Sequence, residues 1–153
     1  MNQPYHDTET ERKREEEMSE KLPDKMDPSI IVRLTPKWKP GREEVERGYF
    51  RTGSGWYEGI TDTELMDSVR AWWRVAPNTI ERRGIRLVIA YAAGLTRAVY
   101  DLESVIGPRE SDGRHAFRLS PIESGPVFDR AVGLDGKSVD FPRGSSNPIR
   151  YRG

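Results

Sequence analysis

Arginine carries most of the chemistry this chain offers. Between Arg70 and Arg97, six arginines (Arg70, Arg74, Arg82, Arg83, Arg86 and Arg97) face a single acid, Glu81, and beyond Pro40 every Lys or Arg except Lys137 is an arginine. A guanidinium is a planar fork of N–H donors that grips phosphate or carboxylate with two hydrogen bonds, whereas an ammonium is a point charge. Large rings stand close to cations. Trp38 sits between Lys37 and Lys39, and Gly53-Ser54-Gly55 leads into Trp56 and Tyr57. A ring flanked in this way stacks on a base while its neighbours meet phosphate. The same ring can instead cover the edge of a small core, and the same arginines can form a solvated face. The residues singled out for nucleic-acid binding are Arg70, Arg74, Arg82, Arg83 and Arg97 for charge, with Trp38, Trp56 and Tyr57 for stacking.

Catalytic sets are thin. His6 and His115 stand far apart, so a histidine-pair metal site is not expected, and only His115, near Asp101 or Glu103, offers a general base. A lone histidine at a strand edge is more often structural. Asp101, Glu103, Asp112 and Glu123 form no DxD or ExK pattern. Gly53-Ser54-Gly55 lacks the GKS or GKT of a phosphate loop. Trp56 to Thr61, followed by Arg70, looks like the second half of a GIY-YIG nuclease signature, but the first half is missing and the later glutamate has no position, so the likeness is read as coincidence. The reading is of a chain with no catalytic residues, no metal ligands and no cofactor.

Composition sets the frame for these residues. The 153 residues suit one core, and the absence of cysteine excludes disulfides, thiolate zinc sites, iron–sulfur clusters and cysteine nucleophiles. No apolar run approaches the roughly 20 residues of a membrane helix, so a cytoplasmic protein without membrane contact is expected. Net charge is zero, yet residues 1–28 hold nine acidic and five basic side chains, leaving the remainder mildly basic. That leader is dense in charge and offers no apolar face to dock. Residues 1–28 are therefore read as a disordered or solvated acidic leader, and residues 29–153 as one domain.

The elements that must position the arginines centre on Thr61 to Leu102. Thr61 with Glu64 forms a capping box, Leu65, Met66, Val69, Trp72 and Trp73 share one helical face, and Pro77 lies past the end. A double tryptophan on such a helix is core or core edge, so at least one of the two is expected to be buried. Arg86 to Tyr91 and Thr96 to Leu102 read as two strands joined through Ala92-Ala93-Gly94-Leu95. Further strands are predicted at Ser29 to Thr35, His115 to Leu119 and, as an edge strand, Asn147 to Arg152. A helical turn is predicted at Arg42 to Gly48. A second capping box, Asn78 with Glu81, predicts one turn stopped by Gly84, and Pro121 to Arg130 reads as turns.

The tryptophan pair in Ala71-Trp72-Trp73-Arg74-Val75, a hairpin carrying Ala98-Val99-Tyr100-Asp101, a late aromatic strand and the closing GKSVDFPRGSSNPIRY together resemble a small bacterial or phage domain, stand-alone or nuclease-associated. In layout this is similar to the PUA-like group, which includes EVE, ASCH and YTH modules, over about Ile30 to Arg152. The resemblance implies an α+β fold built as a small mixed or antiparallel β-barrel with one main amphipathic helix. It also implies a non-catalytic module that binds nucleic acid and reads a flipped, modified or single-stranded base, with a nuclease as a partner. The chain departs from that group in lacking a matched aromatic cage, on which recognition of a modified base rests. Two other readings stand beside this one: a binder of a small phosphorylated or nucleotide ligand in the same mouth, and a protein-interaction accessory of a phage or defence system.

Overall fold

The computed structural model describes residues 19–141 and 146–153. The elements follow in the order β1 (Ser29–Arg33), β2 (Lys39–Glu46), β3 (Tyr49–Ser54), α1 (Asp62–Arg70), α2 (Pro77–Arg83), β4 (Leu87–Ala92), β5 (Leu95–Ile106), β6 (Ala116–Ile122), α3 (Pro126–Ala131) and β7 (Ile149–Arg152). The class is α+β. Five strands form one sheet in the order β6-β5-β4-β1-β7, and β2 pairs with β3 as a separate antiparallel hairpin. β1 runs parallel to β4 and antiparallel to β7. The barrel expected from the sequence is corrected here: β6 and β7 are the two edges and do not pair, so the sheet is open. The hairpin that would be needed to complete a wall pairs only with itself.

Both faces of the sheet are covered, which explains why β4 reads as an unbroken apolar run rather than an alternating one. Side chains of successive strand residues point to opposite faces. Ile30, Val32, Val88, Ala90, Tyr100 and Phe117 pack on one side against Leu65 and Val69 of α1 and Ile80 of α2. Ile31, Leu87, Ile89, Tyr91 and Val99 pack on the other against Leu22, Ala131, Val132 and Val139. The β4–β5 turn is tighter than the four-residue link expected, because only Ala93 and Gly94 lie outside the strands, at φ 48° and 88°.

The capping box forms as read: Glu64 N donates to Thr61 Oγ1, and Thr61 N donates to Glu64 Oε1, each at 3.1 Å. The helix ends earlier than its apolar spacing implies. Ala71 is extended, and Trp73 exchanges backbone hydrogen bonds of 2.8 and 2.9 Å with His115, which takes the tryptophan pair off the helix. Trp73 Nε1 then donates to Val69 O at 2.7 Å, satisfying one of the carbonyls that a helix end leaves open. The Ala71–Trp72 and Gly107–Pro108 peptides are cis.

Other local expectations are also revised. Arg42 to Gly48 is not a helical turn; most of it lies in β2, where Glu43 and Glu44 pair with Arg51 and Phe50. The Asn78–Glu81 capping box is absent, since Ala76 is the N-cap with Pro77 following it, although Gly84 does end α2. Pro121 to Arg130 contains the end of β6 and most of α3. The strands expected near Ser29, His115 and Asn147 are present as β1, β6 and the edge strand β7.

The leader needs a different boundary. Residues 1–18 lie outside the described residues, but Leu22 is only 3% exposed and belongs to the second core face. Leu22 N donates to Ser138 O at 2.9 Å, Ser138 N donates to Glu20 O at 2.8 Å, and Arg152 donates to Leu22 O and Pro23 O at 2.9 Å. Lys137 closes the strap through an ion pair with Glu20. Polarity concealed this docking, because only Leu22 and the partly buried Met26 supply the apolar contact. Leu22→Ala is expected to lower stability by about 2–3 kcal/mol, as for other buried leucines, measured by urea unfolding. A change below about 0.5 kcal/mol would show that the strap contributes nothing to the core.

Candidate functional site

A buried carboxylate builds the framework of the site. Asp67, on α1 and 1% exposed, accepts from Tyr49 Oη at 2.8 Å, Thr52 N at 3.0 Å and Thr52 Oγ1 at 2.8 Å. These bonds fasten the β2–β3 hairpin to the helix. Arg70, one turn on, lies over the Tyr49 ring with its guanidinium carbon 4.0 Å from the centroid. Burial first, and the hydrogen bond to Asp67 next, push the Tyr49 hydroxyl up to about 12. A second tie runs from Ser68 Oγ to Gly55 O at 2.7 Å, and Trp56 N donates to Thr35 O at 2.9 Å. Gly55 has φ 91°, and a Cβ there would fall 2.0 Å from Lys37 O. No side chain fits where the β3 end meets the β1–β2 loop.

These contacts open a groove of about 600 Å³ between the loop after β1, the end of β3, the end of α1 and the approach to β7. Five cations line it: Arg33, Lys37, Lys39, Arg51 and Arg114. Among the described residues no aspartate or glutamate does. Arg51 is held by Ala71 O and by Glu43 at 3.0 Å, and Arg114 lies 3.5 Å from Asp112. Lys37 and Lys39 are exposed and make no ion pair among the described residues.

Two indoles, Trp72 and Trp73, complete the lining. Trp72 is the fixed one. Its Nε1 donates to Glu43 Oε1 at 2.8 Å and Arg109 covers its ring at 4.5 Å, with Arg109 itself forked onto Asp112 at 3.1 and 2.6 Å. The Arg109 hydrogen bond holds the Asp112 carboxyl down at about 2. Trp73 is half-buried and keeps more of its surface open.

The residues expected to form one cationic rim do not gather. Arg70 is 6% exposed and belongs to the Tyr49–Asp67 cluster. Arg97 donates to Ala92 O at 2.9 Å and Ala93 O at 3.3 Å and lies over the Trp56 ring at 4.5 Å, lining a different cavity. Arg74, Arg82 and Arg83 are exposed on and before α2, Arg83 over the Tyr151 ring at 5.7 Å, and none of them lines the groove. Trp56 is buried in the core. Trp38 meets Tyr57 edge-on at 5.5 Å and rests on Gly53, where a Cβ would lie 2.5 Å from the ring; Tyr57 donates to Glu64 Oε1. These three rings build the wall and do not face the groove.

Lys37 and Lys39, which flank Trp38 in the sequence, are among the cations of the groove, and Trp72 is the buried member of the tryptophan pair. Arg33, Arg51 and Arg114 approach from three strands or loops with no common spacing, so the sequence alone does not single them out. His115 lies half-buried behind the Trp73 bridge, and among the described residues no three His, Asp or Glu side chains gather as metal ligands. No described helix is long and apolar enough to cross a membrane. No family model matches the chain, and no curated protein or solved structure matches it.

Asp67→Ala is expected to cost about 3 kcal/mol or more in urea unfolding, because it strips a buried hydrogen-bonded charge from its partners. Tyr49 gives a pH signature. Its folded pKa lies above the unfolded value near 10, so its contribution is complete below about pH 10 and is lost as pH rises toward 12. Stability of the wild type should therefore fall over that interval more steeply than that of Tyr49→Phe, and parallel curves would contradict the assignment.

Proposed function

We propose that the groove holds nucleic acid, with phosphates on Lys37, Lys39, Arg33 and Arg114 and a single-stranded or extruded base against Trp73. One observation carries the reading: among the described residues five cations and two indoles, with no carboxylate, line the same opening. Phosphate contacts displace condensed counterions, and a base stacked on an aromatic ring contributes roughly 1–3 kcal/mol. The two exposed lysines supply charge at the mouth. Arg33 and Arg114 add guanidinium donors, and Trp72 lines the same opening as a ring fixed by Glu43 and Arg109.

The PUA-like resemblance supports the same reading from residue pattern, with an open sheet and a separate hairpin standing in for the closed barrel. In this reading the module binds and a partner nuclease cuts. A single mononucleotide is the competing occupant, because the groove is of small-ligand size and its cations suit one phosphate group as well as a strand.

A salt titration with a fluorescent single-stranded oligonucleotide tests the proposal. Lys37→Ala/Lys39→Ala should lower the slope of log affinity against log salt by about 1.4, at about 0.7 per single-strand phosphate. Trp73→Ala should weaken binding by about 5- to 150-fold while leaving the slope unchanged. Arg82→Ala/Arg83→Ala should alter neither. An unchanged slope in the lysine variant would remove the phosphate contacts, and equal affinity for a mononucleotide would make the ligand a small one.

A further inference from the structure

The cavity that Arg97 lines is separate from the groove and has the opposite character. About 480 Å³ in volume, it lies between the first turns of α1, the start of β5, the end of β6 and α3. Leu65, Met66, Val99, Ile122 and Phe128 supply apolar lining. Asp62 and Glu123 also line it; both are exposed, and neither forms an ion pair among the described residues. The one cation there, Arg97, is directed to the Ala92 and Ala93 carbonyls and to the Trp56 ring.

Tyr100 points to a ligand. The residue is 3% exposed, and its hydroxyl has no hydrogen-bond partner among the described residues. A buried phenol ordinarily finds a partner, since a polar group left unpaired away from water costs free energy. Tyr100 lines the cavity together with Asp62, whose carboxylate acts on its phenol. Burial first, and the Asp62 carboxylate among the charges near it, hold that hydroxyl protonated well above the ordinary tyrosine range. It stays a neutral phenol, able to accept a hydrogen bond from an ammonium as well as to donate one.

We infer that this cavity is a binding site for a small apolar amine, its ring or chain on Leu65, Met66, Ile122 and Phe128 and its ammonium between Asp62, Glu123 and the Tyr100 hydroxyl. Size agrees, since small-molecule sites span roughly 300–1,000 Å³ and are mostly apolar with a few placed polar groups. Charge agrees too, because two carboxylates outweigh one guanidinium already engaged by carbonyls. An anionic nucleotide would meet repulsion here and attraction in the groove, so the two openings select opposite ligands.

The full chain would be titrated by calorimetry with tryptamine and, in parallel, with indole-3-acetate, which carries a closely similar ring and the opposite charge. Tryptamine is expected to bind and indole-3-acetate not to. Asp62→Asn/Glu123→Gln should weaken tryptamine at least tenfold, and Tyr100→Phe several-fold, with thermal midpoints showing that both variants remain folded. Trp73→Ala, on the groove, should leave tryptamine affinity unchanged. No tryptamine binding, equal binding of acid and amine, or a loss confined to Trp73→Ala would each overturn the assignment.

Discussion

Asp67 is the interaction on which the rest of the site depends. A carboxylate taken out of water is tolerated only when hydrogen bonds replace its hydration, and here three donors from the β2–β3 hairpin do so. The hairpin pairs with no strand of the main sheet. Its attachment therefore rests heavily on this carboxylate, on Ser68 and on the small apolar contact around Val45, Ala71 and Trp72. Arg70 above the Tyr49 ring balances the buried charge from the same helix. Placing an arginine there removes it from the surface, so the clamp and the failure of the expected rim have a single cause.

Helix α1 links the two openings. Ser68, near its end, lines the basic groove, and Asp62, at its start, lines the acidic cavity. Six residue steps, about 9 Å of helix, separate Asp62 from Ser68, so the two openings meet opposite ends of one rigid element.

What the sequence revealed followed local rules. The Thr61–Glu64 box and the β4–β5 hairpin each depend on neighbours a few residues apart, and both are present; the edge strand at Ile149–Arg152 is present too, paired with the distant β1. Failures came where distant segments decide. β2 looked like a helical turn because Glu43, Glu44 and Glu46 mask the alternation that pairing with β3 imposes. Helical spacing carried α1 through Trp73, whereas the backbone exchange with His115, forty residues on, ends it sooner. Charge counting was reliable for sign and unreliable for place: Arg70 and Arg97 satisfy rings and carbonyls, while Arg33, Arg51 and Arg114 converge from strands that only the fold brings together.

Gly55 carries a consequence for divergence. Alanine, serine, cysteine, valine, aspartate, glutamate, arginine and tryptophan, the replacements open to glycine codons by single-base change, all bring a Cβ into the space that Lys37 O occupies. Drift at this position cannot be gradual. A descendant that has lost this glycine has also lost the spacing between the lysine loop and the helix, whatever happens to its lysines. The state of that codon thus separates copies that retain the lysine-lined groove from those that keep only the scaffold.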